Sequence, residues 1–254
     1  NMKKIMEKAA LSLLLLVLFA ACREDLGALP GSDSTPVATI YQYMAGSGYN
    51  FENDCRLRVV TNSAVKETYY LAELKSAKED RKMTDEQYAE YVVKNGTKLD
   101  VEASNYKDFY ITGLYGSYVV TVVAVNGGTR TLQTTSFDGS VYKPLGTGTY
   151  TSSFFGDTRT VNVEYSEVGN RYRIVDNWSA GHGFSFSPNG SKVTLYPQTI
   201  STGIAHPNYS RFGVVSVTDQ GSTYDAASKT FTFSFKFSVS AGSFGVKTET
   251  LVLN

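Results

Sequence analysis

The chain has 254 residues, with 24 lysines and arginines against 24 aspartates and glutamates, two histidines and two cysteines. Zero net charge excludes a field strong enough to recruit nucleic acid or an anionic membrane surface. Two histidines leave little material for metal or acid–base sites, and roughly 230 residues beyond an N-terminal leader suit two domains of about 100 residues each.

That leader is the first predicted element. Lys3, Lys4 and Lys8 make a basic start, and Ala9 to Ala21 is a mostly apolar run. It falls short of the roughly 18–20 residues that span a bilayer and has the length of a secretory signal, so residues 1–21 read as an export signal. The run ends in Phe19-Ala20-Ala21-Cys22, which resembles the lipobox of bacterial lipoproteins. Phe19 departs from the leucine usual three places before the cysteine; Leu18 stands one further back. The resemblance implies cleavage before Cys22 and acylation of that cysteine, and several acyl chains, at about 0.8 kcal/mol per buried CH₂, give stable anchoring. Arg23-Glu24-Asp25 resembles the export signal of Bacteroidetes surface lipoproteins, which implies a place on the extracellular face of the outer membrane. Residues 22–36 are then the lipidated cysteine and a flexible tether, "LGALPGSDSTP".

Between residues 37 and 137 the segments "ATIYQY", "RLRVVTN", "ETYYLAEL", "DFYITGL", "YVVTVVAVN" and "TRTLQTT" predict six or seven strands, the count of an immunoglobulin-like domain. Cys55 alternates with Leu57 and Val59 and reads as a small buried hydrophobe; with Cys22 acylated it has no disulfide partner. "KSAKEDRK" is a mixed charge run, read as a solvated loop. In "MTDEQYAEYVVKNG", Thr84 and Gln87 form a capping box, Tyr88, Tyr91 and Val92 share a helical face, and Asn95-Gly96 is a stop, predicting an inserted helix from Asp85 to Lys94. The run from Ile111, "ITGLYGSYVVTVVAVNGG", resembles a fibronectin type III domain, with a Gly-Leu corner before a Tyr-x-Val strand. That resemblance implies an Ig/fibronectin III-like sandwich.

Residues 144–254 carry the clearest period. In "FTFSFKFSVS", Phe231, Phe233, Phe235, Phe237 and Val239 alternate with Thr232, Ser234, Lys236 and Ser238, the signature of a half-buried antiparallel strand. "TVNVEY", "YRIV", "KVTLY" and "VVSV" repeat it, separated by Gly169-Asn170, Pro188-Asn189-Gly190 and Gly221-Ser222. About eight such strands predict an antiparallel β-sandwich or open barrel, making the chain all-β with two domains.

Chemistry is sparse. Neither His182 nor His206 has a ligand-like neighbour at helical or strand spacing, no G-x-S-x-G elbow, phosphate loop or H-E-x-x-H occurs, and Asp157, Asp176, Asp219 and Asp225 adjoin turns, where turn formation explains them. No enzyme, cofactor or metal is therefore expected. The aromatic inventory is larger, with 18 tyrosines and one tryptophan. A ring face stacks on the apolar face of a sugar while neighbouring polar groups bond its hydroxyls. "VDNWSAGHGF" offers Asp176, Asn177, Trp178 and His182, and "TGIAHPNYSRF" offers His206, Asn208, Tyr209 and Arg211 as ligand-binding candidates. The same residues admit a structural role, with Trp178 capping the core and the rest connecting strands. Tyr69, Tyr70, Tyr110 and Tyr118 alternate within strands as core or sheet-face residues.

As a whole the chain is similar to small Bacteroidetes surface lipoproteins that pair a fibronectin- or immunoglobulin-like spacer with a C-terminal β-domain; "PLGTGTYTSSFF" from Pro144 and "YRIVDNW" carry that likeness. It implies a non-enzymatic surface protein tied to glycan capture, with the membrane as one partner and a glycan or an outer-membrane protein as another. The rival is a structural or adhesive subunit that meets other proteins through exposed strand edges.

Overall fold

The computed structural model describes residues 34–197 and 199–254. The export signal, Cys22 and all but the end of the tether lie outside the described residues. The chain is all-β, as its period-2 segments dictate, and the described residues form three antiparallel sheets.

The first seven strands are β1 (Ala38–Tyr43), β2 (Cys55–Thr61), β3 (Glu67–Leu74), β4 (Thr97–Leu99), β5 (Tyr106–Ile111), β6 (Gly116–Asn126) and β7 (Thr129–Gly139). They form a three-stranded sheet, β1-β2-β5, and a four-stranded sheet, β4-β3-β6-β7. Strand four thus joins the second sheet, as in a fibronectin III-like sandwich. Cys55, Leu57 and Val59 of β2 pack toward Val120, Val122 and Ala124 of β6. Burial pushes the Cys55 thiol up to about 12, which leaves it inert as a nucleophile. The Gly-Leu corner is pinned by Asn53, whose Nδ2 donates to the carbonyls of Leu114 (3.0 Å) and Ser140 (2.9 Å).

Two helices separate β3 from β4: α1 (Lys75–Asp80) and α2 (Asp85–Asn95). The Thr84–Gln87 capping box forms as its spacing requires. Tyr88, Ala89 and Val92 of α2 cover the outer face of β6 at Val123 and Val125. This explains why β6 reads as a continuous apolar run: both of its faces are buried. The charge run before α2 is corrected from a loop to a short helix. It is solvated along its length, and its cations lie over tyrosines of α2, Lys78 over Tyr88 at 4.6 Å and Arg81 over Tyr91 at 4.2 Å.

The remaining strands are β8 (Lys143–Ser152), β9 (Asp157–Ser166), β10 (Arg171–Ser179), β11 (His182–Asn189), β12 (Lys192–Tyr196), β13 (Thr199–Ala205), β14 (Val214–Asp219), β15 (Thr223–Asp225), β16 (Thr230–Val239) and β17 (Gly242–Leu253). They run β13-β14-β16-β15-β12-β11-β10-β9-β8-β17, and a β16–β17 pairing closes an eight-stranded ring, to which the β13–β14 hairpin attaches. The expected sandwich or open barrel is thus a closed barrel. Phe231, Phe233, Phe235 and Phe237 fill its axis; the first three meet Phe184 and Phe186 in edge-to-face pairs at centroid separations of 4.8–5.6 Å, and Phe237 meets Phe235 edge-to-face at 6.2 Å. Each such ring contributes about 1.5–3 kcal/mol on burial.

Sandwich and barrel meet at a polar junction. Glu52, buried, takes a hydrogen bond from the Tyr142 hydroxyl and faces Arg171 (3.6 Å) and Arg173 (4.0 Å). Arg171 also donates to Ser140 Oγ, and the Val141 backbone N–H to Ser166 Oγ, both at 2.9 Å.

Candidate functional site

Trp178 stands in β10, not in a loop. The register of β10 against β11 pairs Ile174 with Phe184 and then Ser179 with His182, so residues 175–178 bulge over Gly183. A Cβ there would lie 1.7 Å from the Ile174 carbonyl oxygen, so only glycine allows the bulge. The bulge turns two consecutive side chains, Asn177 and Trp178, into the barrel. Trp178 is 7% exposed, stacked on Phe184 at 5.2 Å and tilted on Phe235 at 6.3 Å. The expectation that it offers a ring face to a ligand is corrected: its indole is core.

The other candidates of that segment have local work. Asp176 Oδ1 accepts the Gly181 N–H at 2.6 Å, closing the turn. His182 Nδ1 lies 3.1 Å from Ser179 Oγ, and its ring sits against Gly203, where the φ of +71° and the absence of a side chain admit it. Asn177, 2% exposed, points at a buried polar group made by Tyr150, Ser152 and Glu249 beside Arg159. Glu249 Oε1 accepts the Phe154 N–H at 3.1 Å, and burial raises the carboxyl above its ordinary range. Asn177 is therefore not a surface ligand contact.

His206 and Tyr209 lie at the same end of the barrel as the β10–β11 turn. Their rings are 5.0 Å apart, and Phe244 lies 5.2 Å from His206 and 5.4 Å from Tyr209. Phe154 stacks on Phe237 at 4.0 Å and meets both Phe244 and His206. The group packs on itself and caps the phenylalanine core. Asn208 donates its backbone N–H to His206 Nδ1, and Arg211 lies over Phe212. Asp219 and Asp225 accept hydrogen bonds within their own turns, and Asp157 pairs with Arg159.

A surface that the sequence reading missed lies on the sandwich. The outward residues of β1, β2 and β5 fall into cross-strand rungs: Thr39–Val60–Tyr106, Tyr41–Arg58–Asp108 and Tyr43–Arg56–Tyr110. Tyr41, Tyr43, Tyr49 and Tyr106 are each 44–55% exposed on this face. Tyr49 stacks on Tyr110 at 3.6 Å with an interplanar angle of 2°, and the Gly46 N–H donates to the Tyr110 hydroxyl at 3.2 Å. Arg58 makes a bidentate pair with Asp108 (2.7 and 2.8 Å) and lies over the Tyr106 ring at 4.3 Å. At the end of β1 a groove of about 350 Å³ runs between Tyr43, Met44 and Phe137 of the sandwich and Arg171 and Tyr196 of the barrel. The signal was present in the alternation of Arg56 and Arg58 against Cys55, Leu57 and Val59, and in the spacing of two between Tyr41 and Tyr43.

No protein-family model, no curated protein and no solved structure matches this chain.

Proposed function

We propose that this protein is an outer-membrane lipoprotein, anchored through Cys22 and exposed on the extracellular side, that acts as a non-enzymatic binding module for glycans. The observation that carries the reading is the tyrosine–arginine face of β1, β2 and β5. Its rings are flat, exposed and flanked by hydrogen-bonding groups, the combination that stacks on a pyranose and bonds its hydroxyls. Stacking of Tyr49 on Tyr110, and of Arg58 on Tyr106, fixes rings before any ligand arrives, which lowers the ordering cost of binding. The barrel, filled by its own phenylalanines, serves as a rigid partner to this face.

The rival, an adhesive subunit working through strand edges, has less support. Closure through β16 and β17 removes the edge of the barrel ring. The free side of β1 is met by β7, with Gln133 accepting from the Ile40 N–H and Thr135 donating to Gln42.

A glycan array probed with the detergent-solubilised full chain tests the proposal. It should return a bound glycan whose affinity drops roughly thirtyfold in Tyr43→Ala or Tyr106→Ala, the cost of about 2 kcal/mol for truncating an aromatic anchor, and is unchanged in Tyr209→Ala. An empty array, or a hit indifferent to both sandwich variants, sinks the reading. For the anchor, Cys22→Ala should leave uncleaved or soluble protein; membrane retention of that variant in a detergent-partition assay would refute it.

A further inference from the structure

We infer that the glycan bound by the sandwich face is acidic, and that a uronic acid carboxylate docks on Arg56. The inference rests on the glycan reading of this face and adds the charge of the sugar. Three guanidinium groups border the face and its groove, and two are engaged. Arg58 is held by both carboxylate oxygens of Asp108. Arg171 is turned to Glu52 and Ser140 at the domain junction. The Arg56 guanidinium makes neither a hydrogen bond nor an ion pair among the described residues; it lies over the Tyr43 ring, 5.6 Å away, and the carboxylate that feels its charge, Asp108, has both oxygens held by Arg58. Asp54, next along the same side of the chain, is occupied by the backbone N–H groups of Asn50 (2.7 Å) and Gly113 (3.0 Å).

The place of Arg56 turns that vacancy into a recognition element. It is the middle member of the rung Tyr43–Arg56–Tyr110, so a tyrosine stands on each side at the close spacing of cross-strand neighbours. A planar fork of N–H donors matches a carboxylate in a bidentate pair. Tyr43 on one side, and on the other Tyr49 stacked outside Tyr110, offer exposed ring surface to the same sugar, and a half-buried cation beside an aromatic ring is screened less than one in open solvent. A neutral sugar leaves the fork unmatched; a uronic acid satisfies ring faces and fork together.

Isothermal titration of the detergent-solubilised full chain with hexagalacturonate and with its fully methyl-esterified form tests this, because the ester removes the charge and keeps the sugar. The acid should bind at least tenfold tighter than the ester, and Arg56→Gln, with an unchanged melting temperature, should erase the difference by weakening only the acid. Raising the salt to about 0.5 M should do the same. Equal binding of acid and ester, or an acid preference that survives Arg56→Gln, overturns the inference while leaving the glycan reading intact. Loss of both ligands in Tyr43→Ala, with the acid preference present in the parent, supports both. Binding of neither ligand by the parent chain, alongside an empty array, ends both.

Discussion

Glu52 of the sandwich holds its carboxylate 3.6 Å from the guanidinium of Arg171 in the barrel, and both side chains are almost wholly buried. The pair, with Tyr142 and Arg173, forms the charged part of the junction between sandwich and barrel. Removing the carboxylate leaves buried donors without an acceptor, so Glu52→Ala should cost about 2–4 kcal/mol in urea unfolding. The same variant should open the 140–142 connection to proteolysis. A change under about 0.5 kcal/mol, with the connection still protected, would show that the junction is held by other contacts.

Glu249 gives a pH dependence of definite sign. Burial raises its pKa in the folded state, so the folded chain holds that proton more tightly than the unfolded one. Deprotonation therefore opposes folding: the penalty is absent below the ordinary carboxylate range, grows as pH rises through the raised folded value, and is complete above it. Glu249→Gln keeps an oxygen for the Phe154 N–H and removes the charge. Its melting temperature should exceed that of the parent at about pH 8, with the gap closing toward about pH 4. A gap that widens on acidification would refute the sign.

Trp178 is the only tryptophan in the chain, so its emission reports the barrel core. The native spectrum should be blue-shifted and should move red in a single step on unfolding. Trp178→Ala should cost about 3–5 kcal/mol, whereas Trp178→Phe, which preserves most of the packing, should fold and bind the array ligand as the parent does. Loss of binding in folded Trp178→Phe would return the indole to the binding site.

Gly203 lies where a Cβ would come within 2.4 Å of both His182 Nδ1 and Ser179 Oγ, at a φ of +71°. Gly203→Ala combines a clash with backbone strain and should destabilise the barrel by about 2 kcal/mol. Adding His182→Ala should recover part of that loss and no more, since the strain and the serine contact stay. Full recovery would mean that the histidine ring alone sets the need for glycine.

Several features were readable from residue order because they depend on near neighbours. The alternation of Phe231, Phe233, Phe235 and Phe237 specifies a strand with one buried face, and Thr84 with Gln87 specifies where α2 begins. Both are short-range: a period of two and a capping spacing of three need no knowledge of the rest of the chain. Closure of the barrel was not readable, since it depends on β17 reaching β8 across about a hundred residues.

The candidate site shows the same division. Alternation says that Tyr41 and Tyr43 share a face, and that Arg56 and Arg58 share another, but not that register sets them side by side or that solvent covers them. Tyr88 of α2 and Val123 and Val125 of β6 illustrate the opposite outcome, because α2 roofs that sheet, whereas among the described residues no helix roofs β1, β2 and β5. Trp178 was misplaced for a related reason. A bulge permitted by Gly183 turns two successive residues inward, and a bulge breaks the period on which a strand reading rests. What the sequence determined by itself is local: strands, turns, one capped helix and the apolar identity of the core. Which aromatic rings are buried and which are offered to solvent was decided by tertiary structure, because burial belongs to whatever packs against a face, and that partner lies far away along the chain.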